Sequence, residues 1–422
     1  MLSCAATESP DVILIVVDTL RADHLAPYGY NVQTAPHVSG LAEQGVVYEA
    51  VVAPSSWTKT SMASIWTSRN PLRHGVMRKE SVLPAELSTL AGAFRDAGFQ
   101  TIGINSNPWL LTKYGFSAGF GSYESARKRR GFVDWKQVTA QAVESMQAAS
   151  RDEPAFLYVH YMDVHPPYSS RSDPPTDPVH VEGRGKLVDS RLEYLYRKKG
   201  LEGPGVEQRV LALYDAGIRE ADAAIASLLG QLDALGRNRE RIVAVTSDHG
   251  EAFREHGTTE HGRNLYPEVY RVPLILLGSP GLEPGTRIPH QMRSIDIAPT
   301  LLSLVGAPVP DSFDGEPLPL APGPEVADRT AVSSVGFGAY VPESHFVAVV
   351  SPRYLYIHER VSGVAEFYDL HGDPGALRDL GGDHADAERF AEIERSLVLQ
   401  ETEQRQLDPD TADALRSLGY LE

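Results

Sequence analysis

The sequence predicts an α/β protein: a large, mixed and mostly parallel central sheet flanked by helices, followed by a small C-terminal antiparallel unit. Three features carry that prediction. Apolar runs of strand length recur at residues 12–17, 99–105, 156–161, 242–246 and 272–277, and strands buried on both faces read as continuous rather than alternating hydrophobic runs. Between several of them lie stretches with apolar residues at helical spacing, the pattern of parallel strands joined by crossover helices. Short β-prone pieces bounded by turn residues gather only after a proline-dense stretch at residues 306–324.

The elements follow in order. The first strand, residues 12–17, ends in Asp18. Residues 34–49 read as a helix with Leu41 facing inward, then a short strand through Val46, Val47 and Tyr48. Residues 83–98 are amphipathic and stop on Gly98, a suitable helix end, ahead of the strand at 99–105. Residues 169–205, rich in Pro, Asp, Arg and Gly without a clean period, read as a long surface excursion, and loops of that length commonly serve function. Residues 206–235 place Val210, Leu213, Ile218, Ala221, Ile225, Leu228 and Leu232 at helical spacing and lead into the strand that ends in Asp248 and His249. Residues 295–302 start a helix with Pro299 near its first turn. The C-terminal β pieces lie at 346–350, 354–358 and 367–370, and alanine- and glutamate-rich helix runs from there to the end.

A chain of 422 residues exceeds one small core, so a large α/β domain over residues 1–325 and a lesser α+β unit over 326–422, packed on it, are expected. Its 42% hydrophobic and 23% charged content excludes a disordered or fibrous chain. The net charge of -17 disfavours nucleic acid or an anionic membrane face as a partner. An anionic small molecule would have to be drawn by a local cation and helix ends, whose fields dominate at close range. The single cysteine, Cys4, permits no internal disulfide framework, and no run approaches the roughly 18 apolar residues of a membrane span. Met1-Leu2-Ser3-Cys4 is similar to the start of a mature bacterial lipoprotein, which would place the protein outside the cytoplasm, in the periplasm or anchored through Cys4; a cysteine of no consequence at a trimmed end is the other reading.

Residues 55–75, SSWTKTSMASIWTSRNPLRHG, hold the most telling chemistry. Met62, Ala63, Ile65 and Trp66 suit a short buried helix starting near Thr58, whose free N–H groups and dipole would face an anion. A threonine hydroxyl is a poor nucleophile until its proton is removed, which a divalent cation can bring about. Capping the helix is the other job a threonine takes in that position. Asp18, Asp248 and His249 stand just past the ends of buried strands, where open α/β sheets place their ligand sites. Two strand ends and one helix start are therefore expected to converge on one metal, held by Asp18, Thr58, Asp248 and His249.

On these residues the chain resembles the sulfatase family of the alkaline phosphatase superfamily. The family's nucleophile motif, a cysteine or serine followed by x-P-x-R, then A-S-L-L-T-G and R-H-G, is matched in register by residues 58–62, 63–68 and 73–75, with Thr58 in the nucleophile position. The family's D-x-H-x-P-Y run falls at Asp163, His165 and Tyr168, its D-x-x-P-T-L-L run at 296–302 and its Y-D-L-x-x-D-P signature at 368–374. The resemblance covers nearly the whole chain and implies an alkaline phosphatase-like fold. It also implies substrate contacts from Asp163, His165, His256, which matches a site histidine, and His261, which falls where sulfatases place a lysine. These four are alternatively donors to a second metal. Where the family carries a lysine and a histidine, this chain has Ser106-Asn107-Pro108-Trp109; Asn107 either donates to an oxyanion or serves as a turn residue before proline.

Departures from the family pattern bear on metal and reaction. Thr19 replaces the second of two adjacent aspartates of the calcium-dependent sulfatases, and His249 adds an imidazole donor, which shifts preference from Ca²⁺ toward Zn²⁺ or Mn²⁺. Formylglycine requires a cysteine or serine followed by x-P-x-R or x-A-x-R. Thr58 cannot supply it, and Ser61, with Ala63 two places on, meets Ile65 where the arginine is required. A Thr58 ester, cleaved by water at phosphorus or sulfur, takes its place. Because threonine-nucleophile members of the superfamily act on phosphate esters, hydrolysis of phosphate mono- or diesters or phosphonate esters is expected, on a small-molecule or lipid- or sugar-linked substrate. Sulfate-ester hydrolysis through unmodified Thr58 and a non-catalytic binding protein on the same fold are the alternatives.

Overall fold

A computed structural model describes residues 9–126, 133–168, 179–181, 185–187, 189–203, 205–278, 281–337, 341 and 343–417. Cys4 and residues 169–178 of the expected excursion lie outside them. The central sheet has eight strands: Asp11–Val17 (β1), Val46–Val52 (β2), Gln100–Asn105 (β3), Ser122–Ser125 (β4), Ala155–Tyr161 (β5), Arg241–Thr246 (β8), Arg271–Leu277 (β11) and Thr286–Arg293 (β12). Two small antiparallel pairs stand apart from it, Val179–Val181 (β6) with Gly185–Leu187 (β7) and Ala252–Phe253 (β9) with Thr259–Glu260 (β10). The order is β12-β2-β11-β8-β1-β5-β3-β4. Within it β11 runs against both neighbours while the other pairs are parallel, so β1, β2, β5 and β8 all end at one edge.

Every residue of β1 and β5 is buried. Val12, Leu14 and Val16 pack into the core on one face of the sheet and Ile13, Ile15 and Val17 into the core on the other, which is why these strands read as unbroken apolar runs. One face is covered by Pro36–Gln44 (α1), Trp135–Ala148 (α5), Asp189–Lys199 (α6) and the long helix Val206–Ala234 (α7). The other carries Thr58–Thr67 (α2), Pro71–His74 (α3), Leu90–Asp96 (α4) and Ile297–Leu304 (α9), with the single turn Pro267–Tyr270 (α8) leading into β11. The C-terminal sheet is a four-stranded antiparallel meander, Ala331–Gly336 (β13), His345–Val350 (β14), Tyr354–Glu359 (β15) and Val364–Asp369 (β16). One of its faces joins the main core through Val335, Ala348 and Ile357, and the other packs on Ala387–Ser396 (α10) through Val349, Tyr356 and Phe367. Pro409–Ser417 (α11) closes the described chain, and among the described residues no helix is long and apolar enough to cross a membrane.

Several elements differ from expectation for local reasons. The helix expected from residue 83 begins at Leu90, because Thr89 accepts from Gly92 N at 3.1 Å and caps it there. Leu41 is only partly buried, and α1 turns Val38 and Ala42 inward instead. The excursion contains a helix, α6. β13 went unread because Ser333 and Ser334 interrupt its apolar run; in the fold Ser334 pairs with His345 at 3.0 Å. The helix expected to run to the end is broken by a strap that crosses back to the segment after α2: Gln400 N donates to Leu72 O at 2.8 Å, Val82 N to Glu403 O at 2.8 Å and Arg405 N to Glu80 O at 2.8 Å. Gly75 sits beneath it at φ 72°, and a Cβ there would lie 2.3 Å from the Gln400 carbonyl oxygen. The glycine of Arg73-His74-Gly75 thus answers to chain packing.

Asp296 links the two sheets. Its fully buried carboxylate pairs with Arg293 Nη2 at 2.7 Å and Arg329 Nη1 at 2.9 Å and accepts from Glu316 N at 3.0 Å. Asp296→Ala leaves two half-buried guanidinium groups without their carboxylate and is expected to destabilise the fold by about 2–3 kcal/mol. The measurement is the urea unfolding midpoint, and a change below about 0.5 kcal/mol would remove this contact from the set that holds the sheets together.

Candidate functional site

The strand register builds the site. β1 pairs with β8 so that Val16 stands opposite Thr246, and with β5 so that Val16 stands opposite His160. Asp18 and Asp248 each follow two residues beyond that first pair, so parallel pairing alone brings the two acids side by side. Thr19 then turns the chain through a left-handed conformation, φ 59°, that costs a β-branched residue strain. The turn is secured by Thr19 Oγ1 donating to Asp18 O at 2.7 Å and Thr19 N donating to Asp248 Oδ1 at 3.2 Å. From the same edge β2 runs through residues 53–57 into α2, all ten residues of which are buried. Thr58 is the first helical residue, and no side chain caps at Trp57 before it.

Thr58 Oγ1 meets His249 Nε2 at 3.1 Å, Asp18 Oδ2 at 3.4 Å and Asn107 Nδ2 at 3.4 Å. His249 Nδ1 lies 2.9 Å from the Gly250 carbonyl, an acceptor only, so the ring proton sits on Nδ1 and Nε2 presents a lone pair to the Thr58 hydroxyl. Gly250 cannot yield, since a Cβ there would lie 2.1 Å from the Glu268 carbonyl oxygen. Asn107 Oδ1 accepts from Trp109 N at 2.9 Å, which turns the amide NH₂ toward Asp18 Oδ2 at 2.7 Å. Ser61 Oγ donates to the Asp248 carbonyl at 2.6 Å and ties the helix to the acid loop.

The charges in this cluster are unbalanced. Asp18, Asp248 and His249 are fully buried, and one donor atom from each lies within 4.8 Å of the others. Burial and the neighbouring Asp18 charge push Asp248 up. For Asp18 burial acts in the same direction, but the hydrogen bond from His160 outweighs it and holds that carboxyl well below the usual range. At that separation two anions repel by about 3 kcal/mol or more. Asp18 Oδ1 and Asp248 Oδ2 have no hydrogen-bond partner among the described residues, and Asp248 Oδ2 faces the bare Nε2 of His249 at 3.4 Å. Two orphaned anionic oxygens and an imidazole lone pair converging with a hydroxyl are a divalent-cation donor set, and among the described residues such a cluster occurs once.

The remaining predicted residues divide. His261 lies beside His249, ring centroids 4.5 Å apart, and His165 beside His261 at 5.0 Å. Burial pushes His165 down to about 3 and His261 well below its usual value, so both are neutral imidazoles along one wall of the cluster. Asp163 is not buried with them: its carbonyl packs where Gly217 of α7 leaves room, and its charge acts on Tyr161. His256, expected on the substrate, is engaged elsewhere. It stacks on Tyr266 at 3.7 Å, with Nδ1 on Glu268 at 2.9 Å and Nε2 donating to the Ala376 carbonyl at 2.9 Å. Burial works against its positive charge, but Glu268 and Ala376 prevail and raise it. It clamps the segment after the C-terminal sheet. Two residues of the cluster were not among the predicted site residues. His160 contacts Asp18 Oδ2 at 3.0 Å, and Glu251, pushed up to about 7 by burial and by Glu260, contacts His261 Nδ1 at 3.2 Å. A lone polar residue inside an apolar strand was the available clue to His160.

Known proteins share this arrangement of elements. A family model described as Sulfatase matches residues 10–307, and one described as N-sulphoglucosamine sulphohydrolase, C-terminal, matches residues 254–404. An ulvan-active sulfatase of Formosa agariphila is 27% identical over 409 residues, covering 88% of this chain and 77% of its own. An N-acetylglucosamine-6-O-sulfatase of Bacteroides thetaiotaomicron is 21% identical over 505 residues, covering 98% and 90%. Among solved structures, a 2-O GAG sulfatase superposes with a TM-score of 0.73 at 20% identity over 92% of this chain and 91% of that one. A phosphonate monoester hydrolase from Silicibacter pomeroyi superposes with a TM-score of 0.71 at 21% identity over 92% and 94%. With a family match spanning both strand-end acids and the Thr58 helix, the chain belongs to the sulfatase family of hydrolases, within the alkaline phosphatase superfamily.

Proposed function

We propose that the chain hydrolyses sulfate esters carried on sugars, with unmodified Thr58 as nucleophile and one divalent cation, Zn²⁺ or Mn²⁺ ahead of Ca²⁺, held by Asp18, Asp248, His249 and the Thr58 oxygen. The observation that carries it is the Thr58 hydroxyl 3.1 Å from the proton-free Nε2 of His249, beside two orphaned carboxylate oxygens. The mixed oxygen and nitrogen donors favour the transition metals. Such a cation would lower the pKa of the Thr58 hydroxyl and take up charge on the transferring group. The sequence alone ranked phosphorus esters first; relatives whose names specify ulvan and N-acetylglucosamine sulfates reverse that order. The non-catalytic alternative does not fit a hydrolase family match with the whole donor set present.

In this reading the Thr58 hydroxyl gives up its proton as Oγ1 attacks sulfur, the bond from sulfur to the sugar oxygen breaks, and one proton is returned to that oxygen so that the sugar leaves as its alcohol. Water then attacks the sulfur of the Thr58 ester, releasing sulfate and restoring the hydroxyl. Asn107 Nδ2 holds the Thr58 oxygen and Asp18 in place. His165 and His261 line the adjoining wall as buried, neutral imidazoles; with its Nδ1 proton on the Pro166 carbonyl, His165 presents only the Nε2 lone pair there. A second reading, hydrolysis of phosphate or phosphonate esters, is favoured by one specific feature: a threonine cannot become the formylglycine hydrate on which C–O cleavage of sulfate esters depends, whereas a threonyl phosphoester is readily cleaved at phosphorus.

Two measurements follow. Protein stripped by chelation and dialysed is expected to take up one equivalent of Zn²⁺ or Mn²⁺ in calorimetry. Ion at about a hundredfold its Kd should add close to 3 kcal/mol of stability, and Asp248→Asn should lose most of that gain. Parallel turnover of aryl sulfate, aryl phosphate, bis-aryl phosphodiester and aryl phosphonate should be highest on sulfate and fall by about a thousandfold or more in Thr58→Ala. Phosphorus esters turning over faster would establish the second reading, and undiminished turnover in Thr58→Ala would remove Thr58 as nucleophile.

A further inference from the structure

We propose that His160, on β5, is the positioning residue that turns Asp18 so that Oδ2 is held by protein donors and Oδ1 is left free to hold the cation. This rests on the cation reading of the site but not on which ester is cleaved. The imidazole is fully buried in a strand whose other side chains include Phe156, Leu157, Tyr158 and Val159, and burying a polar ring is unfavourable unless its nitrogens are bonded. Both are. Nδ1 lies 2.7 Å from the Tyr158 hydroxyl and Nε2 lies 3.0 Å from Asp18 Oδ2.

The direction of these bonds follows from the carboxylate. Asp18 can only accept, so the ring proton is on Nε2 and is donated to Oδ2. Nδ1 is then bare and accepts from the Tyr158 hydroxyl. Tyr158 is itself held by the nucleophile helix, whose Trp66 packs edge-on against its ring at 4.4 Å. The relay from α2 through Tyr158 and His160 to Asp18 therefore reports the position of the helix to the acid.

The consequence lies in the two oxygens of Asp18. His160 and Asn107 both donate to Oδ2, while Oδ1 accepts nothing among the described residues. Oδ2 also stands 3.4 Å from Thr58 Oγ1, against 3.1 Å for His249 Nε2. With two donors on Oδ2, Oδ1 is left as the carboxylate oxygen free to hold a cation. Without His160 the carboxylate can rotate and would hold a cation less well.

The test is competition of the full chain with a chromophoric chelator for Zn²⁺, comparing wild type with His160→Phe, His160→Gln and Tyr158→Phe, with thermal unfolding of each cation-free protein as the check on folding. Loss of a group that orients a ligand lowers metal affinity about 10- to 100-fold, which is the expectation for His160→Phe. His160→Gln keeps an amide donor where Nε2 was and should retain affinity within about threefold, and Tyr158→Phe, which removes one oxygen, should fall between. At saturating Zn²⁺ the Phe variant should lower kcat on the preferred aryl ester while KM stays within about twofold, since the residue does not touch substrate. Wild-type affinity in both the Phe variant of His160 and Tyr158→Phe would overturn the inference and leave the cation reading standing, as would equal losses in the Gln and Phe variants. A wild-type chain that takes up no cation would overturn both.

Discussion

Two carboxylates, Asp18 and Asp248, are held side by side where neither meets water, and the repulsion between them is the constraint the rest of the site answers to. Burying one such charge without compensation is costly, and two close together cannot both ionise without a positive partner. The protein supplies neutral donors to one oxygen of each: His160 and Asn107 for Asp18, the Thr19 and His249 amides for Asp248. It leaves the other oxygen of each unmet. No lysine or arginine enters the cluster among the described residues. These two oxygens and His249 Nε2 form a group able to hold a metal ion, with the Thr58 hydroxyl beside it.

That hydroxyl can be placed accurately because its helix is anchored along its length. Trp57 meets Trp109 edge-on at 5.2 Å, just beyond Asn107, and Trp66 meets Tyr158 two residues before His160. Lys59, next to Thr58, is fully buried over the Tyr114 ring at 3.7 Å and donates to the Lys79 carbonyl; burial holds its amine well below the usual value. The lysine beside Thr58 thus fastens the helix and is not aimed at an anion. His74 is similar: Val76 N donates to its Nδ1 at 3.0 Å and its Nε2 donates to Ser64 at 2.8 Å, so part of the family motif serves the scaffold that aims Thr58.

The C-terminal unit completes this scaffold. Its strap lies over Gly75 and pairs with residues 72–82, while His256 and Tyr266 reach from the large α/β unit to Ala376 and Glu366. A histidine that matches a site residue by alignment has here become an inter-sheet clamp. The reason is electrostatic: Glu268 beside it stabilises the imidazolium, and the Ala376 carbonyl takes the second proton.

Much of this was legible in the residues. Strands buried on both faces must be continuously apolar, so β1, β5 and β8 announced themselves, and a helix with one buried face must repeat at its own period, so α7 did as well. A polar residue ending such a strand must stand at the sheet edge, which identified Asp18, Asp248 and His249. The sequence by itself determined these local facts, because pleat and helical pitch act on neighbours in the chain. Register between distant strands was left to the tertiary structure, and it decided that Asp18 faces Asp248, that His160 rather than Asp163 reaches the acid, and that His256 turns away. Those outcomes depend on which donor lies within hydrogen-bond range of which acceptor once the chain has folded, a distance no spacing along the sequence contains.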